Sequence, residues 1–233
     1  MEQFPVVILA GGLATRLRPI TEKIPKSLVK VADRPFLAYQ LELLRANQIT
    51  EVLLCVCHLG ELIEQEFGDG ASHGIRIRYS YDKPTLLGTG GAIRNAIPLL
   101  PESFFILYGD SYLPIDYQSV ARSFAASGQL AMMTVFANQN AWDKSNVWFE
   151  QGEIKLYSKQ RRLPQMRHID YGLSVCRRSL FEGRPKVFDL ASLFEILSEK
   201  RALAGFEVTQ RFYEIGSPEG LQELHRLLRG QNS

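Results

Sequence analysis

The chain has 233 residues, 45% of them hydrophobic and 22% charged, which is the balance of a globular protein with a substantial core. Its 27 Lys and Arg against 25 Asp and Glu leave a net charge of +2, so no global field draws nucleic acid or an anionic membrane. Any anion has to be held by a local arrangement. Short apolar runs at 5–10 (PVVILA), 51–57 (EVLLCVC), 75–80 (IRIRYS), 104–108 (FFILY) and 130–136 (LAMMTVF) read as strands, most of them buried on both faces. Segments 36–48, 59–67, 90–100 and 117–127 between them read as helices. In the first of these, Leu37, Leu41 and Leu44 fall on one face. This alternation predicts an α/β fold with a mainly parallel sheet, whose ligands sit beyond the carboxyl ends of the strands.

After Ala137 the pattern changes. NVWFE and GEIKLYS flank a Gln151-Gly152 turn and predict a hairpin, and DYGLSVC predicts another strand. Asp189 is placed to cap a helix with Leu190, Leu193, Phe194 and Leu197 on one face. The last helix has Ser217 as N-cap, Pro218 at its first position and Gly230 as its stop. With no repeat and no linker, the economical organisation is a single domain over 1–233, less regular from 138 onward. Cys55, Cys57 and Cys176 form no metal or disulfide pattern and read as core residues of a reducing compartment. The run Val6 to Ala10 is too short for a signal-peptide core, and no segment reaches transmembrane length, so a cytoplasmic protein is expected.

Four stretches carry chemistry. In VVILAGGLATRLRPITEKIPKSLVKV, Gly11 and Gly12 follow a strand, where backbone N–H groups can approach a phosphate without Cβ interference. Arg16 can fork onto phosphate oxygens, and Pro25 restrains the backbone just before Lys26. The pattern is neither a Walker A loop nor a dinucleotide fingerprint, and alone it reads as a tight turn with solvated cations. TLLGTGGAIRNAI puts Gly88, Gly90 and Gly91 at a helix start, either a second backbone cradle or a tight helix beginning. Asp110 in FFILYGDS lies just past a buried strand, and Glu214 in RFYEIGSPEG lies between a short strand and a helix; both are carboxylates suited to a hard metal. Two cations, two glycine-rich cradles and two carboxylates are what phosphoryl or nucleotidyl transfer requires: neutralised charge and reactants held in line.

Taken together, LAGGLATRLRP, PKSLVKV, LLGTGGAI, YGDS and FYEIGSPEG resemble, in this order, the motifs of the sugar-1-phosphate nucleotidyltransferases. The resemblance covers essentially the whole chain and implies a Rossmann-like, three-layer nucleotidyltransferase fold. In that family a sugar 1-phosphate oxygen attacks the α-phosphorus of a nucleoside triphosphate and pyrophosphate leaves with Mg²⁺ assistance. The resemblance divides the domain into a nucleotide-binding part (1–137) and a sugar-binding part with the C-terminal helix (138–233). It implies that Ala10, Gly11, Gly12, Thr15, Gly88, Thr89 and Gly91 bind the nucleotide. Arg16 would hold the triphosphate and Lys26 would bridge the reacting phosphates. Asp110 matches the family's metal-binding aspartate, and Glu214 stands where a second aspartate is usual.

Ser158-Lys159 replaces the usual Glu-Lys, so Lys159 would hold the sugar phosphate without the neighbouring carboxylate. Tyr171 and Gly172 fall where the family faces the sugar. The blocks are most similar to the guanylyltransferases for heptose or mannose 1-phosphate, and also similar to the uridylyltransferase for N-acetylmuramic acid 1-phosphate. They imply a role in nucleotide-sugar supply for cell-surface polysaccharide, with no nucleic-acid or membrane partner and with homo-oligomerisation left open. The expected absence of hexapeptide repeats sets the chain apart from longer relatives. A GT-A glycosyltransferase would need D-x-D where Asp110-Ser111-Tyr112 stands, and a nicotinamide dehydrogenase would need G-x-G-x-x-G after its first strand. A non-catalytic nucleotide-sugar-binding relative is the alternative from another class.

Overall fold

A computed structural model of the chain describes residues 4–12, 14–82 and 85–230. The first half comprises β1 (Val6–Leu9), β2 (Lys30–Val31), β3 (Arg34–Pro35), α1 (Phe36–Ala46), β4 (Glu51–Val56), α2 (Gly60–Phe67), β5 (Arg76–Tyr81), α3 (Gly88–Ala96), β6 (Ser103–Tyr108) and β7 (Ser111–Tyr112). There follow α4 (Tyr117–Ser127), β8 (Ala131–Phe136), β9 (Val147–Glu150), β10 (Glu153–Tyr157), β11 (Ile169–Arg177), α5 (Leu190–Glu199), β12 (Leu203–Val208), β13 (Tyr213–Glu214) and α6 (Pro218–Gly230). The fold is mixed α/β with a large, mainly parallel central sheet, as the alternation of periods predicts. The chain divides into two compact units, each described by itself below.

The first unit comprises Met1–Leu86, Leu107–Leu113 and Phe212–Ser233. Its strands run in the order β5-β4-β1-β6, with the end of β6 in this unit. β1 and β4 pair in parallel with Val6 opposite Val52, and β4 and β5 do so with Glu51 opposite Arg76. Val6, Val7, Ile8 and Val52 to Val56 are buried throughout, the continuous apolar pattern of strands covered on both faces. On α1, Leu37, Leu41 and Leu44 are fully buried, each contributing about 2 kcal/mol through area removed from water.

A second cluster joins Val31, Phe36 and Tyr39 to Ile215, Leu224 and Leu228. It fixes α6 against the start of α1, and Ser217 caps α6 by accepting from Gly220 N at 3.1 Å. The fully buried Ile215 follows Glu214 directly, so this cluster also determines where Glu214 lies.

The second unit comprises Leu87–Ile106 and Pro114–Arg211, with strand order β6-β11-β8-β12-β10-β9 starting from the beginning of β6. Here the sheet is mixed: β8 and β12 are parallel, while β11 with β8 and β10 with both β9 and β12 are antiparallel. Gln151 (φ 52°) and Gly152 (φ 81°) make the predicted β9–β10 turn, both in the left-handed region that a two-residue hairpin requires. Asp116 caps α4 by accepting from Gln118 N and Ser119 N.

Three expectations need correction. β12 was not among the predicted strands; LAGFEV lacks clean alternation, and its central residues are only partly buried. Asp189 sits at the N-cap position of α5 but its carboxylate makes no bond to that helix. It accepts instead from Thr89 N and Oγ1 at 3.4 Å, and Thr89 Oγ1 accepts from Leu190 N at 2.8 Å. The cap of α5 is thus supplied by Thr89, a residue 101 positions away. The helix expected over 90–100 starts earlier, at Gly88, and gives way after Ala96 to a single 3₁₀ turn, Ile97–Leu99.

Cys55 and Cys176 are buried, and burial pushes both thiols up; Cys57 Sγ donates to Asp82 O at 3.0 Å. The core reading holds for Cys55 and Cys176, whereas Cys57 is only partly buried. Among the described residues no helix is long and apolar enough to cross a membrane.

Candidate active site

In the first unit the carboxyl ends of β1 and β6 lie side by side, and the sequence-predicted residues leave from both. Ala10 N donates to Cys55 O at 2.9 Å, which extends the β1–β4 ladder by one residue and then lets the chain turn out at Gly11. A Cβ on Gly11 would stand 3.4 Å from Cys57 Cβ, ordinary contact, whereas one on Gly12 would meet no described atom within 4 Å. Packing therefore does not require glycine at 12; the missing side chain leaves the backbone open to approach.

Ala14 takes a left-handed conformation (φ 46°), held by Thr21 Oγ1 donating to its carbonyl at 2.8 Å, and Thr15–Leu17 form a single 3₁₀ turn that carries Arg16. Thr21 is buried, and its role was not legible in the sequence. After another such turn at Ile20–Glu22, Lys26 opens a third, Lys26–Leu28, following the extended Pro25.

β6 ends at Tyr108, and Gly109 carries the chain into Asp110. Gly109 N donates to Leu9 O at 3.2 Å, so the turn lies directly against the end of β1. β7 pairs with β13, setting Glu214 opposite Ser111, and Ile215 N donates to Asp110 O at 2.9 Å. Two carboxylates from distant parts of the chain are thereby brought to one place.

Lys26 Nζ lies 2.9 Å from Asp110 Oδ2, both side chains being mostly buried. A methyl group on Gly216 would stand 3.1 Å from Arg16 Nη2, 3.3 Å from Asp110 Oδ2 and 3.4 Å from Glu214 Oε1. The four charged residues expected to act together therefore converge, two cations with two carboxylates. Among the described residues no group of three or more His, Cys, Asp or Glu side chains is placed to hold a metal, so two carboxylates are the anionic donors at this end.

Gly109 has a steric reason for its identity. A Cβ there would fall 2.5 Å from Leu9 O and 3.1 Å from Ala10 Cα, both of them backbone atoms. Gly109→Ala must push the Asp110 turn away from β1, and is expected to lose about 1–3 kcal/mol of stability in urea denaturation. If the groups on this turn act in turnover, it should fall about tenfold or more, because displacing them spoils their alignment. A folded variant with wild-type turnover would show that the position of the turn does not matter.

The remaining predicted residues are in the second unit. Gly88 (φ 74°) opens α3 in a conformation that favours glycine. Gly90 N and Gly91 N both donate to Phe188 O at 3.0 Å. A Cβ on Gly88 would fall 2.6 Å from Phe188 O, one on Gly90 2.2 Å from the Phe188 ring, and one on Gly91 2.5 Å from Lys186 O. These glycines make room for the 186–189 segment, and two of their N–H groups are already bonded to it.

Tyr171 is buried beside Phe136, with its hydroxyl donating to Arg211 O at 3.4 Å. Gly172 N donates to Asp170 Oδ1 at 3.0 Å, and burial pushes the Asp170 carboxyl up, offset by that bond, by the Lys159 charge and by a bond with Tyr157. Lys159 itself is exposed. Ser158, which stands where the resemblance leads one to expect a carboxylate, is buried and accepts from Gln160 N and Arg161 N. It shapes the turn after β10.

Residues 5–146 match the Nucleotidyl transferase family. The N-acetylmuramate alpha-1-phosphate uridylyltransferase of Neisseria meningitidis is 38% identical over 228 residues, covering 95% of this chain and 96% of that protein. The chain belongs to the nucleotidyl transferase family. The D-glycero-alpha-D-manno-heptose 1-phosphate guanylyltransferase of Campylobacter jejuni is 41% identical over 110 residues, 47% of this chain, and the match spans about half of that relative's length (49%). Crystalline HddC from Yersinia pseudotuberculosis has the same fold, with a TM-score of 0.82 at 22% identity over 97% of this chain and all of that one.

Proposed function

We propose that the protein transfers a nucleoside monophosphate from a nucleoside triphosphate to a sugar 1-phosphate, with pyrophosphate as the second product. Guanylyl transfer to D-glycero-D-manno-heptose 1-phosphate or mannose 1-phosphate is the leading substrate pair. The observation that carries this reading is the convergence of Arg16, Asp110 and Glu214 on Gly216, with Lys26 on Asp110.

An oxygen of the sugar phosphate forms the new bond to the α-phosphorus. The bond from the α-phosphorus to the bridging oxygen breaks, and pyrophosphate leaves with that electron pair. The nucleophile is already ionised at neutral pH, so the site needs no general base. Its task is to hold anions that repel one another. Gly11, Gly12 and Thr15 offer backbone to the nucleotide, Arg16 forks onto the triphosphate oxygens, and Lys26 neutralises the charge that builds as the leaving oxygen departs.

The donor set suits Mg²⁺, a hard cation that takes one or two carboxylates and completes its shell with water and phosphate oxygens. Asp110 and Glu214 would hold it. When bound, it supplies further charge neutralisation on the phosphates. In the second unit Lys159 is assigned to the sugar phosphate, Gly88 and Thr89 to the nucleotide, and Gly172 to the sugar; Gly91, whose N–H is bonded to Phe188 O, and the buried Tyr171 serve packing instead. A cytoplasmic location and a product destined for cell-surface polysaccharide belong to the same proposal.

A second reading, uridylyl transfer to N-acetylmuramic acid 1-phosphate, is favoured by the Neisseria relative, which matches along nearly its whole length. Pyrophosphate release from a panel of nucleoside triphosphates with heptose, mannose, glucose and N-acetylmuramic acid 1-phosphates decides between the two. At least one pair is expected to turn over, and EDTA is expected to abolish it. Silence across the panel, with nucleotide-sugar binding retained, would leave a non-catalytic binding protein.

A further inference from the structure

We infer that Gln40 is a positioning residue for the Asp110 carboxylate, an inference that rests on the reaction proposed above. Gln40 belongs to α1, between Leu37 and Leu41 on the helix, and is only 1% exposed. Its side-chain Nε2 donates to Ser111 O at 2.8 Å and to Tyr108 O at 3.4 Å. These two carbonyls flank Gly109 and Asp110 on either side. One amide group thus spans the turn that presents Asp110 to Lys26.

Apart from the Lys26–Asp110 pair, backbone bonds also tie down the turn. Gly109 N is bonded to Leu9 O, and Asp110 O to Ile215 N. The first also holds the planar peptide unit that carries the Tyr108 carbonyl, and β7–β13 pairing holds Ser111 and Tyr112. Gln40 adds a bond from the helix behind the turn to both carbonyls. Without it the Ser111 carbonyl loses its 2.8 Å bond to α1, and the turn that carries Asp110 is released from the helix behind it.

A packing role does not explain an amide here. A buried amide group is costly unless its hydrogen bonds are made, and the Gln40 Oε1 is buried with no partner among the described residues. An unbranched apolar side chain of similar size would fill the space among the α1 leucines without that penalty. The amide earns its place through the two bonds from Nε2, and both lead to the Asp110 turn.

Gln40→Met keeps the volume and removes the donor. The variant should fold, with a thermal midpoint lower by only a few degrees, because the lost donor leaves a buried carbonyl underbonded while the unpartnered oxygen goes with it. Its kcat should fall about tenfold or more, while the KM for nucleotide changes less than about threefold, since misplacing a group that acts at the reacting centre affects turnover before binding. Mn²⁺ binding in the presence of inorganic pyrophosphate, followed by water-proton relaxation, should weaken in parallel.

A folded variant with kcat within about twofold of wild type, or one losing kcat and nucleotide KM together with its thermal midpoint, would assign Gln40 to packing and overturn the inference. If Gln40→Met does not fold, Gln40→Glu preserves size and shape and replaces the donor by an acceptor, and the same split of kcat from KM decides. Should the wild-type chain turn over nothing, the reaction proposed above falls, and weakened Mn²⁺ binding in the variant still judges Gln40 by itself.

Discussion

Lys26→Ala is expected to lower kcat about 10³-fold while the KM for nucleotide stays within about threefold, because the charge that Lys26 meets is greatest in the transition state. Nζ stands 2.9 Å from Asp110 Oδ2, on a turn that Pro25 makes rigid before it begins. The side chain therefore reaches the site already aimed, and alanine removes a preorganised cation that no neighbour replaces in the same position. Arg16 approaches from a different turn, held by Thr21, and would continue to bind the triphosphate. Stability should change by less than about 1 kcal/mol, since the pair keeps contact with solvent. Steady-state kinetics beside urea denaturation separates the two effects. Equal losses in kcat and nucleotide affinity would reduce Lys26 to a binding residue.

Asp110→Asn is the second large effect. The amide is close in shape to the carboxylate and can still accept from Lys26, so folding should be preserved. What it loses is a full negative charge at the place where a hard cation needs an anionic oxygen. A fall in kcat of about 10³-fold or more is expected, within the range for removing a metal's charge stabilisation. The Mg²⁺ concentration giving half-maximal rate should rise, and higher Mg²⁺ should recover part of the activity. A variant whose Mg²⁺ dependence matches the wild type would show that Asp110 does not hold the metal, leaving Glu214 without its partner.

Much of the first unit was legible because its signals are local. PVVILA, EVLLCVC and FFILY became β1, β4 and β6 within a residue or two, and continuous apolar runs are the mark of strands buried on both faces. Asp110 and the Gly11-Gly12 loop follow directly from where those strands end. Other features depend on pairing between distant segments, which no local period reports. β7 and β13 are two residues each and exist because they face one another. β12 has weak alternation and is defined by its parallel register on β8.

The glycines of LLGTGGAI were visible, but their packing against Lys186 and Phe188, about a hundred residues away, was not. Thr89 was singled out from the resemblance, yet its capping bond to Leu190 is a tertiary contact that the sequence does not signal. Gln40 was hidden for a different reason. A single amide among leucines on an amphipathic helix looks like part of the solvent face until burial places it against the Asp110 turn.

The charge balance of the first-unit cluster bears on the order in which ligands arrive. Arg16 and Lys26 carry two positive charges, Asp110 and Glu214 two negative, and at this short range the four cancel. A divalent cation entering alone would make the cluster strongly positive, and a triphosphate entering alone would make it strongly negative. Arriving together, they would bring a charge of about −2 in place of the roughly −4 of a triphosphate alone, with Asp110 and Glu214 holding the metal and Lys26 facing a phosphate oxygen. Under the proposed function, a divalent metal and the nucleotide would therefore be expected to enter as one joint occupant. Each should raise the affinity for the other by the same factor, a reciprocity that binding measurements in either order can verify.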